Sequence, residues 1–177
     1  MKKIILGITA SISAYKACDL TRLFVKAGYS VYHVLSENAE HLVTSLTLET
    51  LSGNPVYTSS FARDMKEMGH IELKKDAALF LVAPATANII GKFANGIADD
   101  LLSTTFLSMK CPVVIAPAMN PNMWSHPALQ ENIKRLKSWG VKFVDPEEGL
   151  VACGDEGTGK LADIEKIFEA AKSVIKG

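Results

Sequence analysis

Short, continuous apolar runs alternate with amphipathic stretches along the whole chain. The apolar runs predict buried strands at residues 3–8, 30–35, 77–83, 113–116 and 141–144. The stretches between them repeat their apolar side chains at a helical period, which predicts helices at residues 13–27, 37–51 (in two pieces), 85–93, 99–108, 127–139 and 163–175. Such alternation is typical of a parallel sheet covered on both faces. We therefore expect an α/β fold in one domain over residues 1–177, doubly wound and Rossmann- or flavodoxin-like.

Residues 145–161 form the longest stretch without a predicted helix or strand. They contain four glycines and few large apolar side chains. Irregular surface segments of this length in compact domains often serve as lids over binding sites. We therefore expect a flexible substrate flap at about residues 145–161, called the flap below.

The charge balance narrows the class of partner. The chain has 19 Lys and Arg against 19 Asp and Glu, so nothing in its net charge favours nucleic acid or a membrane surface. No apolar run reaches the length of a membrane span, and we expect a cytoplasmic protein. The three cysteines form no CxxC pair, and no histidines have metal-ligand spacing, so we predict neither a disulfide framework nor a metal site.

The segment after the first strand suits a phosphate group. Ligands of such sheets bind beyond the carboxyl ends of the strands. Here the sequence GITASIS offers a glycine, hydroxyl groups and free N–H groups at a helix N-terminus. Gly7, Thr9, Ser11 and Ile12 are therefore candidate cofactor contacts, although an ordinary Ser-capped helix is an equally good interpretation.

Two later segments could contact the same ligand. Ser36 follows the second strand, where its hydroxyl could reach a phosphate, although a plain helix N-cap is the more ordinary interpretation. After the third strand, small residues let a flat ring approach the backbone, and hydroxyl and amide groups there could bond its heteroatoms, although this segment could also be a helix start after a proline. These candidates, with Ser103 in the following helix, are Thr86, Ala87, Asn88, Ile89 and Ser103.

The fourth strand is followed by the unusual loop PAMNPNMW. Two prolines restrict its backbone, which would hold Asn120 at a set angle. A rigid turn with hydrophobic cover by Met123 and Trp124 is the alternative. Ala118 in this loop is a candidate cofactor contact, and Met123 a candidate substrate contact.

One cysteine and one histidine stand out from the others of their type. Cys153 lies between small residues in the flap, where exposure would permit proton transfer or nucleophilic chemistry. Cys18 and Cys111, in contrast, are expected to be buried. His70 follows a glycine in GHIEL, although a lone histidine is more often structural than catalytic.

Together these segments resemble the homo-oligomeric flavin-containing cysteine decarboxylases over nearly the whole chain. The matching parts are GITASISAYK, the histidine of GHIEL, VAPATANIIGKFANGIADDLL, PAMNPNMW and ACGDEGTGKL, of which PAMNPNMW and ACGD are the most specific. The resemblance implies FMN as cofactor, contacted by residues that include Ser11, Ser36, Thr86, Ala87, Asn88, Ile89 and Ala118. It implies His70, Asn120 and Cys153 as catalytic residues, and substrate contacts at Leu150, Val151 and Ala152. Lys160 is a further candidate substrate contact.

The resemblance also implies a reaction. It is the FMN-dependent decarboxylation of 4′-phosphopantothenoylcysteine to 4′-phosphopantetheine in coenzyme A biosynthesis, through thioaldehyde and enethiolate intermediates. Asn120 would hold the substrate carboxylate, His70 would act as a base or orient that carboxylate, and Cys153 would protonate the enethiolate. The implied assembly is a homotrimer or an assembly of trimers, with a separate phosphopantothenate–cysteine ligase supplying the substrate.

One departure and several alternatives remain. The flap reads GTGKL where many relatives have arginine followed by methionine, so Lys160 keeps the positive charge without the bidentate fork. A decarboxylase for C-terminal cysteines of peptides is the first alternative within the same class. A flavin prenyltransferase, a non-catalytic regulatory protein and a generic flavodoxin-like nucleotide-binding protein each explain fewer of the motifs.

Overall fold

A six-stranded parallel sheet forms the centre of the molecule. The computed structural model describes residues 1–58, 75–150 and 154–176. The sheet order is β3-β2-β1-β4-β5-β6, in which every neighbouring pair is parallel. The strands are β1 (Lys3–Ile8), β2 (Ser30–Leu35), β3 (Val56–Tyr57), β4 (Ala77–Ala85), β5 (Val113–Pro117) and β6 (Lys142–Phe143). The predicted doubly wound α/β fold is confirmed.

Helices cover both faces of this sheet. Two 3₁₀ turns, Ile12–Tyr15 and Glu37–His41, accompany α1 (Lys16–Lys26), α2 (Ser45–Ser52), α3 (Ala87–Ala94), α4 (Leu101–Ser108), α5 (Pro121–Trp124), α6 (Pro127–Ser138) and α7 (Ile164–Lys176). One core contains side chains of α1, α2 and α7, among them Phe24, Leu48 and Ile167. The other contains side chains of α3, α4 and α6, among them Phe93 and Ile133. Burial of these two apolar layers is the main force that holds the helices to the sheet.

The winding direction of the chain reverses between β1 and β4. From β1 the chain proceeds outward to β2 and β3, and then returns to place β4 on the other side of β1. The loops that follow β1 and β4 therefore turn in opposite directions at the carboxyl edge of the sheet. A crevice opens at such a point, which is where ligands of open α/β sheets bind.

One predicted strand boundary and the predicted burial of two cysteines were wrong. We expected the third strand to stop before Pro84, but β4 continues to Ala85, which pairs with Pro117 after a register shift. A proline lacks the N–H that a regular ladder needs, and an irregularity in the ladder accommodates it. We also expected Cys18 and Cys111 to be buried, but both are only partly buried, and burial raises the pKa of each thiol.

The flap contains regular structure that the sequence did not predict. Strands β7 (Glu147–Leu150) and β8 (Glu156–Lys160) pair antiparallel as a separate hairpin. Their polar and glycine-rich sequences lack the apolar alternation by which strands are identified. Within the parts of the chain that the structure describes, no helix is long and apolar enough to cross a membrane.

Candidate active site

Thr9 joins the carboxyl ends of the two central strands. Its hydroxyl donates to the Pro84 carbonyl at 2.8 Å and accepts from the Thr86 N–H at 2.9 Å. The side chain is only 2% exposed, so neither bond competes with bulk water. The sequence analysis assigned Thr9 to the cofactor, but the structure shows it holding together the two loops that form the crevice.

A cavity of about 520 Å³ lies at these strand ends, between the sheet and the hairpin. The segments after β1, β4 and β5 form its floor, and β7, β8 and α5 form the rest of its described wall. The lining residues are Ala10, Ser11, Ile12, Ser13, Tyr15, Lys16, Thr86, Ala87, Ala118, Met119, Asn120, Met123, Leu150, Gly159, Lys160 and Leu161. Four segments that the sequence marked as candidates therefore meet at one site: those after β1, β4 and β5, and the flap.

The floor combines hydroxyl groups with small side chains. Ser11 caps the 3₁₀ turn, since its Oγ accepts from the Ser13 N–H at 3.4 Å, and the two hydroxyls lie 2.9 Å apart. Thr86 caps α3 in the same way by accepting from the Ile89 N–H at 3.4 Å. With only a methyl group at Ala118, nothing bulky projects from this part of the floor. A flat ring with a polar edge and a phosphate tail has the shape that these features accept.

Asn120 presents its amide group to the hairpin. Its Oδ1 accepts from the Asn122 N–H at 2.8 Å, which caps the short helix α5 and orients the amide. Its Nδ2 donates to the carboxylate of Asp155, at the start of β8. Because the capping bond fixes the oxygen, the NH₂ group is the part of Asn120 that faces a carboxylate.

The hairpin packs closely on the loop that carries Asn120. The Met119 N–H donates to the Gly159 carbonyl at 2.9 Å. A Cβ at Gly159 would overlap the Met119 carbonyl oxygen, and one at Gly157 would lie 3.0 Å from the Pro121 ring. Glycine is therefore required at Gly159 by the close approach of two backbones. This contact sets the height of the hairpin above the cavity.

Several predicted cofactor residues lie outside this lining. Gly7 lies in β1 against Leu102, and Ile89 is buried in the core. Asn88 is exposed, and Ser36 stands at an N-cap position without a side-chain capping bond. The structure does not bring these four residues into the cavity.

The Ser103 side chain is hydrogen-bonded at the start of α4. It forms a capping box with Asp100: the Asp100 carboxylate accepts from the Ser103 N–H at 2.7 Å, and the Ser103 hydroxyl accepts from the Asp100 N–H at 3.2 Å. Burial alone would raise the pKa of Asp100, but hydrogen bonds from Lys92 and Ser103 outweigh it and lower that pKa. Ser103 is completely buried and does not line the cavity.

Some lining residues were not predicted. Tyr15, Lys16 and Met119 line the cavity, yet each lies in or beside a segment that the sequence analysis had marked. Lys16 was detectable as the one cation directly after the GITASISAY segment. Gly159 had no signal beyond its glycine-rich surroundings.

Four predicted residues lie outside the described residues. His70, Val151, Ala152 and Cys153 belong to residues 59–74 and 151–153. Leu150 and Gly154 stand on either side of the second gap, and Leu150 lines the cavity. Among the residues described, no three His, Cys, Asp or Glu side chains are grouped so as to hold a metal ion.

Comparison with known proteins identifies the class that this fold and cavity define. The model of the family called Flavoprotein matches residues 1–176. The chain belongs to this flavoprotein family.

The curated relatives have names that are more specific than that of the family. The chain is 45% identical over 172 residues to the coenzyme A biosynthesis bifunctional protein CoaBC of Bacillus subtilis (strain 168), covering 97% of this chain and 42% of that protein. It is 42% identical over 171 residues to a probable phosphopantothenoylcysteine decarboxylase of Streptococcus mutans, covering 95% of this chain and 96% of that one. The chain thus spans less than half the length of the bifunctional relatives.

Solved structures agree with this assignment. A PPC decarboxylase mutant complexed with pantothenoylaminoethenethiol matches with a TM-score of 0.87 at 26% identity, covering 99% of this chain and 98% of that chain. The FMN-dependent cysteine decarboxylase SpaF matches with a TM-score of 0.86 at 30% identity, covering 99% and 97%. The similarity therefore includes the hairpin as well as the sheet.

Proposed function

We propose that this chain is an FMN-dependent enzyme that decarboxylates 4′-phosphopantothenoylcysteine to 4′-phosphopantetheine in coenzyme A biosynthesis. The name of the Streptococcus relative supports the substrate, that of the Bacillus relative supports the pathway, and the solved cysteine decarboxylases support the reaction. One observation in this chain carries the proposal: the amide NH₂ of Asn120, which lines the cavity, donates to a carboxylate, that of Asp155.

The floor of the cavity fits FMN. Ser11 and the N–H groups of the 3₁₀ turn suit its phosphate, while Ala87 and Ala118 leave room for a flat ring beside the backbone. The Thr86 hydroxyl accepts from the Ile89 N–H and would have its own hydrogen to donate to a polar atom of the ring. When bound, FMN would supply the electron sink that loss of CO₂ from a cysteinyl carboxylate otherwise lacks.

Asn120 would orient the substrate carboxylate. A cysteinyl carboxylate that displaces Asp155 would accept a hydrogen bond from the same Nδ2. The capping bond from Asn122 holds the amide in that orientation before the substrate arrives. Preorganised donors of this kind contribute to catalysis because they need no reorientation during the reaction.

The hairpin would exclude water from the reacting end of the substrate. Leu150 is 71% exposed, so covering its apolar side chain with substrate would be favourable. We propose that Cys153, three residues beyond Leu150, returns a proton to the substrate after CO₂ has left. We propose His70 as the base or carboxylate-orienting group of the first half of the reaction, and a homotrimer as the assembly.

The test is a turnover assay on the purified protein. We expect a yellow protein that converts 4′-phosphopantothenoylcysteine into a product about 44 mass units lighter, the mass of the CO₂ released. A peptide ending in cysteine serves as the competing substrate. Turnover of the peptide alone would assign the chain to the peptide decarboxylases, and a protein that takes up no FMN would refute the proposal.

Two variants test the proposed proton-transfer residues. Cys153→Ser should still release CO₂ but fail to form 4′-phosphopantetheine, because the final proton donor is missing. His70→Asn should keep FMN and lose CO₂ release. Normal product formation by the first variant, or loss of FMN from the second, would contradict the respective role. Light scattering of the purified protein would determine the mass of the assembly.

A further inference from the structure

Two lysines without an ion-pair partner among the described residues line the cavity. Lys16 in the first turn of α1 and Lys160 at the end of β8 both contribute to the lining. No Asp or Glu is among the described lining residues. Neither lysine forms an ion pair with any carboxylate in the described parts of the chain. Two cations in a wall without acids favour an anionic ligand.

Two acids near Lys160 in the hairpin and along the chain have other hydrogen-bond partners. Glu147 pairs with Lys160 in the β7–β8 ladder, yet its carboxylate accepts from the Asp163 N–H at 3.3 Å and from the Lys166 ammonium at 3.2 Å. The Asp163 carboxylate accepts from the Glu165 N–H at 3.0 Å. Both carboxylates thus form hydrogen bonds with groups at the start of α7.

Electrostatics place Lys16 close to this same region. The pKa of Asp163 is lowered, first by hydrogen bonding with Glu165 and then by the positive charges of Lys16 and Lys166. Asp163 follows Lys160 by three residues, and both lysines line the same cavity. Lys16 lies in the first turn of α1 and Lys160 lies in the hairpin, so the two lysines belong to different parts of the cavity wall.

Lys160 lies at the opposite end of β8 from Asp155, whose carboxylate contacts the Asn120 side chain. At about 3.3 Å per residue in a strand, these positions are roughly 16 Å apart. The loop of Met119 to Pro121 runs alongside, with Met119 bonded to Gly159 and Pro121 beside Gly157. A substrate whose carboxylate takes the place of the Asp155 carboxylate would have the length of β8 between that carboxylate and Lys160.

We infer that Lys16 and Lys160 form a phosphate-monoester subsite, which selects the phosphorylated form of the substrate over its dephosphorylated form. The inference rests on the proposed function for the identity of that substrate. An ammonium group binds a phosphate as a point charge through charge-assisted hydrogen bonds. FMN also carries a phosphate monoester, so the experiment must distinguish binding of the substrate phosphate from binding of the FMN phosphate.

The test compares binding of two products by the FMN-loaded protein. Titration calorimetry with 4′-phosphopantetheine and with pantetheine measures selectivity without any need for turnover. We expect the wild-type protein to bind the phosphorylated compound at least tenfold more tightly, and Lys16→Met to lose most of that preference. Lys16→Arg should restore it, and Lys26→Met, at the other end of α1, should leave it unchanged.

Three results would overturn the inference of a phosphate subsite. Equal affinity of the wild-type protein for the two products would overturn the inference, as would a Lys16→Met variant that weakens both equally. If Lys16→Met instead loses FMN while it retains riboflavin, the lysine serves the cofactor phosphate and the inference fails. Selective binding without turnover would refute the proposed decarboxylation while leaving the phosphate subsite supported.

Discussion

The buried histidine of β2 should make the stability of this protein depend on pH in a defined window. His33 is completely buried, and its Nε2 lies 2.9 Å from the Thr21 hydroxyl. That hydroxyl gives its own hydrogen to the Ala17 carbonyl at 2.7 Å, so it can only accept from His33. The ring is therefore the Nε2–H tautomer, and its Nδ1 has no hydrogen-bond partner in the described structure.

The magnitude follows from the shift in pKa. Burial lowers the pKa of His33 from 6.5 to about 4. Above pH 6.5 the ring is neutral in both the folded and the unfolded chain, and its contribution is constant. As the pH falls from 6.5 to about 4, only the unfolded chain takes up the proton. At 1.36 kcal/mol per pKa unit, the free energy of unfolding should fall by about 3 kcal/mol across that window.

Urea unfolding, followed by fluorescence of Trp124 and Trp139, measures this loss. The titrations would cover pH 4.5 to 8 at fixed protein and FMN concentrations, since bound ligand adds to the apparent stability. His33→Gln keeps a donor for Thr21 but does not titrate, and it should flatten the slope below pH 6.5. His33→Leu is the second variant, in case the amide fails to fit.

The control is His41→Gln, which alters an exposed histidine and should leave the slope unchanged. Other groups also titrate in this range, so the difference between wild type and variant is the quantity that matters. Equal slopes for the wild type and both His33 variants would refute the reasoning, because the histidine would then bind protons equally in the folded and unfolded chains.

Three further substitutions test the architecture of the site. Gly159→Ala should displace the hairpin, because its methyl group overlaps the Met119 carbonyl, and it should raise KM about tenfold or more. Gly91→Ala is the matched control, since the atom nearest to the added methyl group is 3.8 Å away. Unchanged kinetics in Gly159→Ala would show that the hairpin tolerates the shift. Thr9→Val should lower the free energy of unfolding by about 1–3 kcal/mol by removing two buried hydrogen bonds, and equal urea midpoints would contradict this. Asn120→Asp keeps the helix cap but faces the substrate with a second carboxylate, so kcat/KM should fall about 100-fold with FMN retained, and near-normal kinetics would argue against the assigned role.

The pattern of apolar and polar residues alone predicted most of the strands and helices. The second strand was predicted at residues 30–35 and is observed at Ser30–Leu35, because most of its side chains are apolar or aromatic and four of the six are buried. The helix at residues 127–139 was found to within one residue, since proline marks its first turn. The alternation of such elements was enough to predict the parallel sheet and hence the edge at which the site lies.

Local chemistry was a weaker guide to the role of single residues. Ser11, Thr86 and Ala118 follow three different strands and were predicted to share a ligand, and they do line one cavity. Ser103 and Thr9 carry similar hydroxyl groups near the same strand ends, yet both are used for internal hydrogen bonds. The sequence shows that a hydroxyl is present, but the direction in which it points depends on which neighbour can accept its hydrogen.

The sequence by itself determined the fold class and the segments that surround the site. Only the tertiary structure decided that residues 147–150 and 156–160 pair as a hairpin, because their polar strands are held by cross-strand bonds and by the close approach of Gly159 to Met119. It alone brought Lys16 to the same cavity as Lys160, across more than 140 residues of chain. Such contacts depend on the winding order of the sheet, which local periodicity does not encode.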